Sequence, residues 1–194
     1  RCAVIHTAAN QARSDIQATR GELSSLRSAI KAGGSLTAGQ GAFKDTFEKK
    51  FGVGSATDRS ISKVDAVLKK SYDKIGAEGQ GNTIEFGGVN GNQSASASVN
   101  GNKFTIYDKF FVASVDQQAY AIGHEGVHSG GIRDYYTATN PGFGREAINY
   151  PTAGSSSWVF YGERAANFLA ITDPAKGFDN ADNYACLFSI HCGP

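Results

Sequence analysis

Apolar residues recur at helical spacing along the N-terminal part of the chain. The spacing predicts an amphipathic helix over residues 3–32, which Gly33-Gly34 ends. Gly21 lies inside this stretch and marks a candidate break. The apolar stripe consists of Ile5, Ala9, Ala12, Ile16, Leu23, Leu26 and Ile30.

Two shorter helices are predicted next. The first covers residues 42–52, and the second covers residues 57–76 with Thr57 or Asp58 as its N-cap. Their apolar faces are Phe43, Phe47 and Phe51 in the first, and Ile61, Val64, Val67, Leu68, Tyr72 and Ile75 in the second.

After Gly76 the pattern changes from helical spacing to alternation, which predicts strands. Asn100-Gly101 between two alternating runs is a hairpin signal, so residues 82–108 are predicted to form a small antiparallel sheet. Helical patterns return over 116–129, 159–172 and 178–190, with an irregular segment over 130–158.

These elements predict an α+β fold class, mainly helical with a small antiparallel sheet. The length of 194 residues suits a single domain over 1–194. Its N-terminal part, residues 1–76, is helical, and residues 77–194 hold the sheet and the remaining helices.

Charge and hydropathy narrow the expected partners. Lys and Arg number 19 against 18 Asp and Glu, which argues against a nucleic-acid or anionic-membrane partner. No apolar run is long enough to span a membrane, and a monomer is expected. The chain begins at Arg1 and holds no Met, which favours a processed or excised chain and hence a secreted enzyme or a delivered effector.

The three cysteines, Cys2, Cys186 and Cys192, lie at the two ends of the chain. Two interpretations are open. One is a disulfide from Cys2 to Cys186 or Cys192, which requires an oxidising compartment. The other is three reduced, buried thiols.

His124 and His128, with Glu125 directly after the first, are the main candidate chemistry. In a helix over 116–129 the two imidazoles project from one face, where they can hold one Zn²⁺. Glu125 can then accept a proton from a water that the metal activates. The alternative is a surface helix with two merely polar histidines.

A catalytic zinc site needs three protein ligands and an open position. The chain has only four histidines, so a carboxylate is the economical third ligand. Asp134 is the first candidate because it follows the sharp turn predicted at Gly130-Gly131. Glu163 is the second candidate, and Glu146 is a weaker third.

These residues resemble the signature of the deuterolysin-like aspzincin metallopeptidases, which include the peptidyl-Lys metalloendopeptidases. That signature is HExxH followed by G-T-x-D-x-x-Y-G, whose aspartate is the third zinc ligand. "HEGVH" matches the first part, and "GGIRDY" matches the start of the second with Asp134 in place and Ile132 where threonine is usual. "FYGERAANFLA" is similar to the continuation, with Tyr161-Gly162 as its Tyr-Gly, and "DPAKGFDNADNYACLF" is similar to the closing helix. The resemblance covers roughly residues 80–190.

The chain departs from this signature by an insertion over residues 136–159. An alignment anchored on Tyr161-Gly162 places Trp158 where the zinc aspartate belongs. Asp134 is preferred because "GGIRDY" keeps glycine, aspartate and tyrosine together. A surface insertion costs little free energy and can shape a substrate cleft.

The resemblance implies a zincin-type fold and a zinc-dependent endopeptidase that acts on polypeptides. It implies Zn²⁺ on His124, His128 and Asp134, and Glu125 as general base and then acid. It implies Tyr161 as the group that stabilises the oxyanion, with Tyr135 or Tyr136 as the alternatives for this role.

In the Lys-specific members acidic residues contact the substrate lysine, and the resemblance gives that substrate-binding role to Asp182. The residue three positions on, where a glutamate would help, is Ala185, so strict lysine preference is not expected. The substrate is expected to lie along the sheet edge of residues 103–107.

Two other functions are compatible with the sequence. The chain could be the peptidase domain of a larger secreted toxin or effector. Alternatively, drift around the third ligand, with Trp158 in its place, could have left a non-catalytic binding module on a metallopeptidase scaffold.

Overall fold

The computed structural model describes residues 1–76, 83–89, 93–137, 147–152, 155–160 and 162–189. The helices are α1 (Cys2–Ala32), α2 (Ala38–Phe51), α3 (Asp58–Ile75), α4 (Val115–Ser129), α5 (Gly162–Thr172), α6 (Pro174–Gly177) and α7 (Ala181–Phe188). The strands are β1 (Thr83–Gly88), β2 (Ala95–Ala97), β3 (Lys103–Tyr107), β4 (Tyr136–Thr137), β5 (Ala147–Thr152) and β6 (Ser155–Phe160), and a short 3-10 helix covers Asp108–Val112. The predicted α+β, mainly helical architecture is confirmed.

Helix α1 is one continuous helix, so the break predicted at Gly21 is wrong. Gly21 faces open space, and the buried residues on either side of it keep the helix docked. The helix ends where Gly33 adopts a left-handed conformation, with φ of 64°. The buried stripe consists of Ile5, Ala8, Ala12, Ile16, Thr19, Leu23 and Leu26.

Helices α2 and α3 both begin at capping boxes. The Thr37 side chain accepts from the Gln40 backbone N–H while the Gln40 side chain accepts from the Thr37 N–H, so α2 starts earlier than its apolar pattern predicts. Thr57 and Ser60 do the same for α3, which confirms Thr57 as its cap.

The first sheet is three-stranded, in the order β1-β3-β2. Strands β2 and β3 form the predicted antiparallel hairpin, with Ala95 opposite Ile106. Strand β1 pairs with β3 in parallel, so the expectation of an antiparallel sheet is wrong for this pair. The alternation of apolar and polar residues predicts a strand, but it does not predict which strand lies beside it or whether the two run parallel.

A second three-stranded sheet, in the order β4-β6-β5, lies in the segment predicted to be irregular, and the prediction is wrong for the residues of these strands. Residues 138–146 and 153–154 of that segment lie outside the described residues. The helix predicted from residue 159 begins instead at Gly162, because β6 continues to Phe160. Gly162 has φ of 81°, a left-handed conformation that marks the change from strand to helix.

Helix α4 packs against α1, α3 and α7. Two of its glycines allow this close approach. A Cβ on Gly126 would lie 2.8 Å from the Ile75 side chain of α3, and one on Gly123 would lie 2.5 Å from the Phe188 ring of α7. One hydrophobic core joins α1, α2, α3, α4, α7 and the first sheet.

The cysteines differ from both interpretations of the sequence. Cys2 is a free, exposed thiol, and Cys186 is disulfide-bonded. A disulfide at Cys2 and a set of three reduced thiols are therefore both wrong, while Cys192 lies outside the described residues.

Within the part of the chain that the structure describes, no helix combines the length and apolar character needed to cross a membrane.

Candidate metal centre

His124 and His128 lie on one face of α4 and are both buried. Their ring centroids are 4.6 Å apart and the ring planes are nearly perpendicular, at 89°. Because burial removes water from the imidazoles, the alternative of two exposed polar histidines is wrong. The pair is built into the interior beside the first sheet.

Asp134 completes the group. After α4 the chain turns at Gly131, whose φ of 110° strongly favours glycine. The turn brings the Asp134 carboxylate to 3.6 Å from Nε2 of His124 and 3.4 Å from Nε2 of His128. One ligand atom from each of the three residues lies within 4.8 Å of the others, a spacing that a single metal ion can bridge.

The other candidates for the third ligand lie elsewhere or outside the described residues. The Glu163 carboxylate accepts from Nζ of Lys50 at 2.9 Å and also pairs with Lys49. Its pKa is lowered, chiefly by the hydrogen bond from Lys50. Glu146 is not among the described residues, and the backbone of Trp158 pairs with Thr137 in the second sheet.

Both histidines have their second ring nitrogen held by an acceptor. Nδ1 of His124 donates to Oδ1 of Asp182 at 2.7 Å, and Nδ1 of His128 donates to the Ile132 carbonyl at 2.8 Å. Because Nδ1 of each ring donates to these acceptors, Nε2 is the nitrogen that faces Asp134 and that can offer a lone pair to a metal ion once it gives up its proton. This is the tautomer that a metal ligand requires, so the residues fit a zinc ion.

Electrostatics also favour a cation at this position. Burial lowers the pKa of His124, but the carboxylates of Asp182, Asp134 and Glu125 raise it to about 10. The pKa of His128 is also raised, because its bond to Asp134 outweighs burial. A buried pocket that gathers three carboxylates around two imidazoles stabilises positive charge, as a divalent ion would supply.

Glu125 is buried beside the two histidines. Its carboxylate accepts a hydrogen bond from the Ala97 backbone, and Oε2 has no hydrogen-bond partner among the described residues. Burial raises its pKa, and the two histidines oppose that effect. A buried carboxylate oxygen of this kind is suited to exchange protons with a water or a substrate.

Asp182 is fully buried and accepts hydrogen bonds on both oxygens. Oδ1 accepts from His124 and from the Tyr120 hydroxyl, and Oδ2 accepts from the Gly162 backbone N–H at 2.7 Å. The pKa of Tyr120 is raised well above its usual value by burial and by this carboxylate, so the phenol keeps its proton and donates. Asp182 therefore contacts a candidate ligand directly, and its predicted role in binding substrate stays a prediction.

The sequence reasoning missed Tyr120, Asn180 and Asn183. Tyr120 precedes His124 by one helical turn, which is the only signal that pointed to it. The two asparagines are fully buried at the start of α7. Tyr161, the predicted oxyanion residue, lies outside the described residues, directly before Gly162.

Among the tyrosines considered as rivals, the side chain of Tyr135 packs on Phe160 with ring centroids 5.6 Å apart. Tyr136 opens strand β4, where its backbone pairs with Val159.

The strand beside α4 is not the one predicted. Residues 103–107 form the central strand β3, which is paired on both sides, so they offer no sheet edge and that prediction is wrong. Among the described strands β2 lies at an edge of this sheet, and Ala97 in β2 contacts Glu125.

Comparison with known proteins shows the fold. No family model matches this chain, and no curated protein matches it by sequence. The solved structure of a zinc peptidase from Grifola frondosa matches it with a TM-score of 0.63 at 20% sequence identity, over 95% of this chain and 91% of that one. The likeness confirms the predicted fold, a mainly helical peptidase fold with a small sheet and the two histidines on one helix.

Proposed function

We propose that this chain is a zinc-dependent endopeptidase of the aspzincin type. The observation that carries the proposal is the convergence of His124, His128 and Asp134, with one ligand atom from each within 4.8 Å of the others. The fold shared with a zinc peptidase supports it.

In the proposed site Nε2 of His124, Nε2 of His128 and the Asp134 carboxylate hold Zn²⁺. When bound, Zn²⁺ supplies Lewis-acid polarisation and lowers the pKa of water toward neutrality. The hydrogen bonds at Nδ1 keep both imidazoles in the required tautomer and orientation.

Glu125 is the proposed general base and acid. Its hydrogen bond from Ala97 fixes the carboxylate, and Oε2 is available to take a proton from the attacking water. The same oxygen then gives that proton to the leaving amine, so the carboxylate returns to its starting state. Its raised pKa brings it closer to that of the groups with which it exchanges protons.

Two further roles belong to the proposal. Tyr161 donates a hydrogen bond to the developing oxyanion, as the resemblance implies. Its neighbour in the chain, Gly162, donates its backbone N–H to Asp182. Because both Asp182 oxygens are occupied, we expect no strict preference for lysine after the cut.

The proposed substrate is an extended polypeptide. It adds to the first sheet at strand β2, through backbone hydrogen bonds that do not depend on side-chain identity. Ala97 in β2 contacts Glu125, so a peptide on this edge runs past the proposed base.

The test is digestion of an unfolded protein, with the cut sites mapped by mass spectrometry and the zinc content of the enzyme measured. The wild type is compared with the wild type in a zinc chelator and with Glu125→Gln, which keeps the shape of the side chain but cannot accept the proton. We expect cleavage by the wild type alone, with Glu125→Gln still holding zinc.

Three other outcomes are informative. Cleavage that survives both the chelator and Glu125→Gln contradicts the mechanism. A zinc-loaded wild type that cuts nothing contradicts the endopeptidase activity and supports a non-catalytic module. Cuts confined to bonds before lysine would contradict the expected lack of a strict lysine preference.

A further inference from the structure

The residues on either side of Asp134 are both bonded to the start of α7. The Arg133 carbonyl accepts from the Ala181 backbone N–H at 2.9 Å. The Tyr135 backbone N–H donates to Oδ1 of Asn180 at 2.9 Å. The backbone of the Asp134 loop is thus held before and after the carboxylate that faces the histidines.

The orientation of the Asn180 amide is determined by a chain of hydrogen bonds. Nδ2 of Asn183 donates to the backbone carbonyls of Lys50 and Ala166, which can only accept. Oδ1 of Asn183 must therefore face Asn180, and it accepts from Nδ2 of Asn180 at 2.7 Å. Oδ1 of Asn180 is left to accept from Tyr135.

The burial of these groups makes the hydrogen bonds consequential. Asn180 and Asn183 are both fully buried, so a donor or acceptor that loses its partner is not rehydrated without rearrangement. The chain of bonds runs from α2 and α5 through α7 to the Asp134 loop. Beside it, Asp182 on the same helix holds His124.

We propose that Asn180 is a positioning residue for Asp134, so that the start of α7 sets the distance between the Asp134 carboxylate and the two histidines. The inference rests on the zinc site of the proposed function. It goes further by assigning to Asn180 a role that acts through the backbone of Tyr135 and involves no contact with the metal.

The first measurement is zinc affinity, by competition with a chromophoric chelator, for the wild type and Asn180→Ala. Loss of the Oδ1 acceptor removes one of the two bonds that hold the Asp134 loop, and we expect the affinity to fall by about 10- to 100-fold, the usual effect of removing an outer-shell partner. Asn180→Ala that stays folded and binds zinc within about twofold of the wild type, well inside that range, would overturn the proposal.

Gln118→Ala is the matched control. Gln118 is also a buried amide, and its Nε2 donates to the carbonyls of Phe110 and Ala113, away from the histidines. Its removal lowers the unfolding temperature but leaves zinc affinity unchanged. An equal loss of zinc affinity in both variants would show that Asn180 acts through general stability, and the proposal would fail.

A second readout needs no metal. Exchange of the Tyr135 amide hydrogen, followed by NMR in a chelator, is expected to be faster in Asn180→Ala than in Gln118→Ala. If Asn180→Ala does not fold, Asn180→Ser serves instead, because serine is a good N-cap residue for α7 while its shorter side chain still removes the amide oxygen that accepts from the Tyr135 N–H. Unchanged Tyr135 exchange in the folded variant contradicts the proposal.

The result separates this inference from the proposed function. A wild type that binds no zinc would contradict the proposed function itself. A wild type that binds zinc but cuts nothing removes the activity and leaves the role of Asn180 to be decided by the affinities and the exchange rates.

Discussion

Helices α1 and α7 differ in which side chains they bury. Helix α1 buries one stripe of small and aliphatic side chains and leaves its other faces in solvent. In α7 every residue from Ala181 to Phe188 is buried, including Asp182 and Asn183. Apolar burial is roughly proportional to area and has little directional preference, whereas buried polar groups need partners at defined positions.

The difference separates two properties of the molecule. Contacts of α1 contribute stability that a similar side chain can restore, because packing tolerates substitutions that conserve volume. Contacts of α7 set the positions of His124 and of the Asp134 loop. Changes in α1 should therefore affect unfolding alone, and changes at the start of α7 should affect both unfolding and metal binding.

The largest expected effect is that of Asp134→Ala, which removes a ligand. Zinc affinity should fall by more than the roughly 100-fold upper range for outer-shell partners. Glu163→Ala is the matched control, since that carboxylate pairs with Lys50 and should leave zinc affinity unchanged. Chelator competition measures both, and zinc loss in Glu163→Ala alone would identify Glu163 as the ligand instead.

Next is Asp182→Ala. The side chains of His124 and Tyr120 and the Gly162 N–H all lose their acceptor, so unfolding should become easier by about 3 kcal/mol and zinc affinity should fall by about 10- to 100-fold. Denaturant titration and chelator competition check the two effects. Tyr120→Phe removes one of these bonds and should cost about 1 kcal/mol. Undiminished zinc affinity in Asp182→Ala would show that α7 has no more effect on metal binding than α1.

Leu23→Ala in α1 tests the opposite case. Leu23 is fully buried in the core, and its truncation should reduce the free energy of unfolding by about 2–5 kcal/mol. Zinc affinity, measured at a temperature where the variant is folded, should match the wild type. A drop comparable with that of Asp182→Ala would show that the two helices do not act separately.

The smallest effect is expected at Gly21 of α1. The position is helical and exposed, and an added Cβ would meet nothing within 4 Å. Gly21→Ala should therefore raise the free energy of unfolding by about 0.5–1 kcal/mol. Thermal unfolding measures the change, and a destabilised variant would mean that the helix is not continuous there.

The same contrast explains how much the sequence could predict. The apolar spacing in α1 is local, and it predicted the helix and its end at Gly33. The spacing of His124 and His128 predicted a shared face for the same reason. The position of Asp134 could also be predicted, because it follows a turn that the glycines indicate.

The features that the sequence could not predict depend mostly on contacts between residues that are far apart along the chain. Asn180 and Asn183 have no periodic pattern, and their partners include Tyr135 and Lys50, far away along the chain. The parallel pairing of β1 was missed because alternation gives the strand and not its neighbour. The second sheet was missed because its strands lie among glycines, serines and prolines that are typical of loops.

The hydrogen bonds from α7 to the Asp134 loop also bear on thermodynamic linkage. They exist only in the folded chain, so the complete set of proposed ligands is a property of the native state, and we expect zinc to bind the unfolded chain weakly. At free zinc a hundredfold above its dissociation constant, the folded form would gain about 2.7 kcal/mol. Under the proposed function, chelation would then have two effects: it would stop the cleavage of other chains and make this chain easier to cleave.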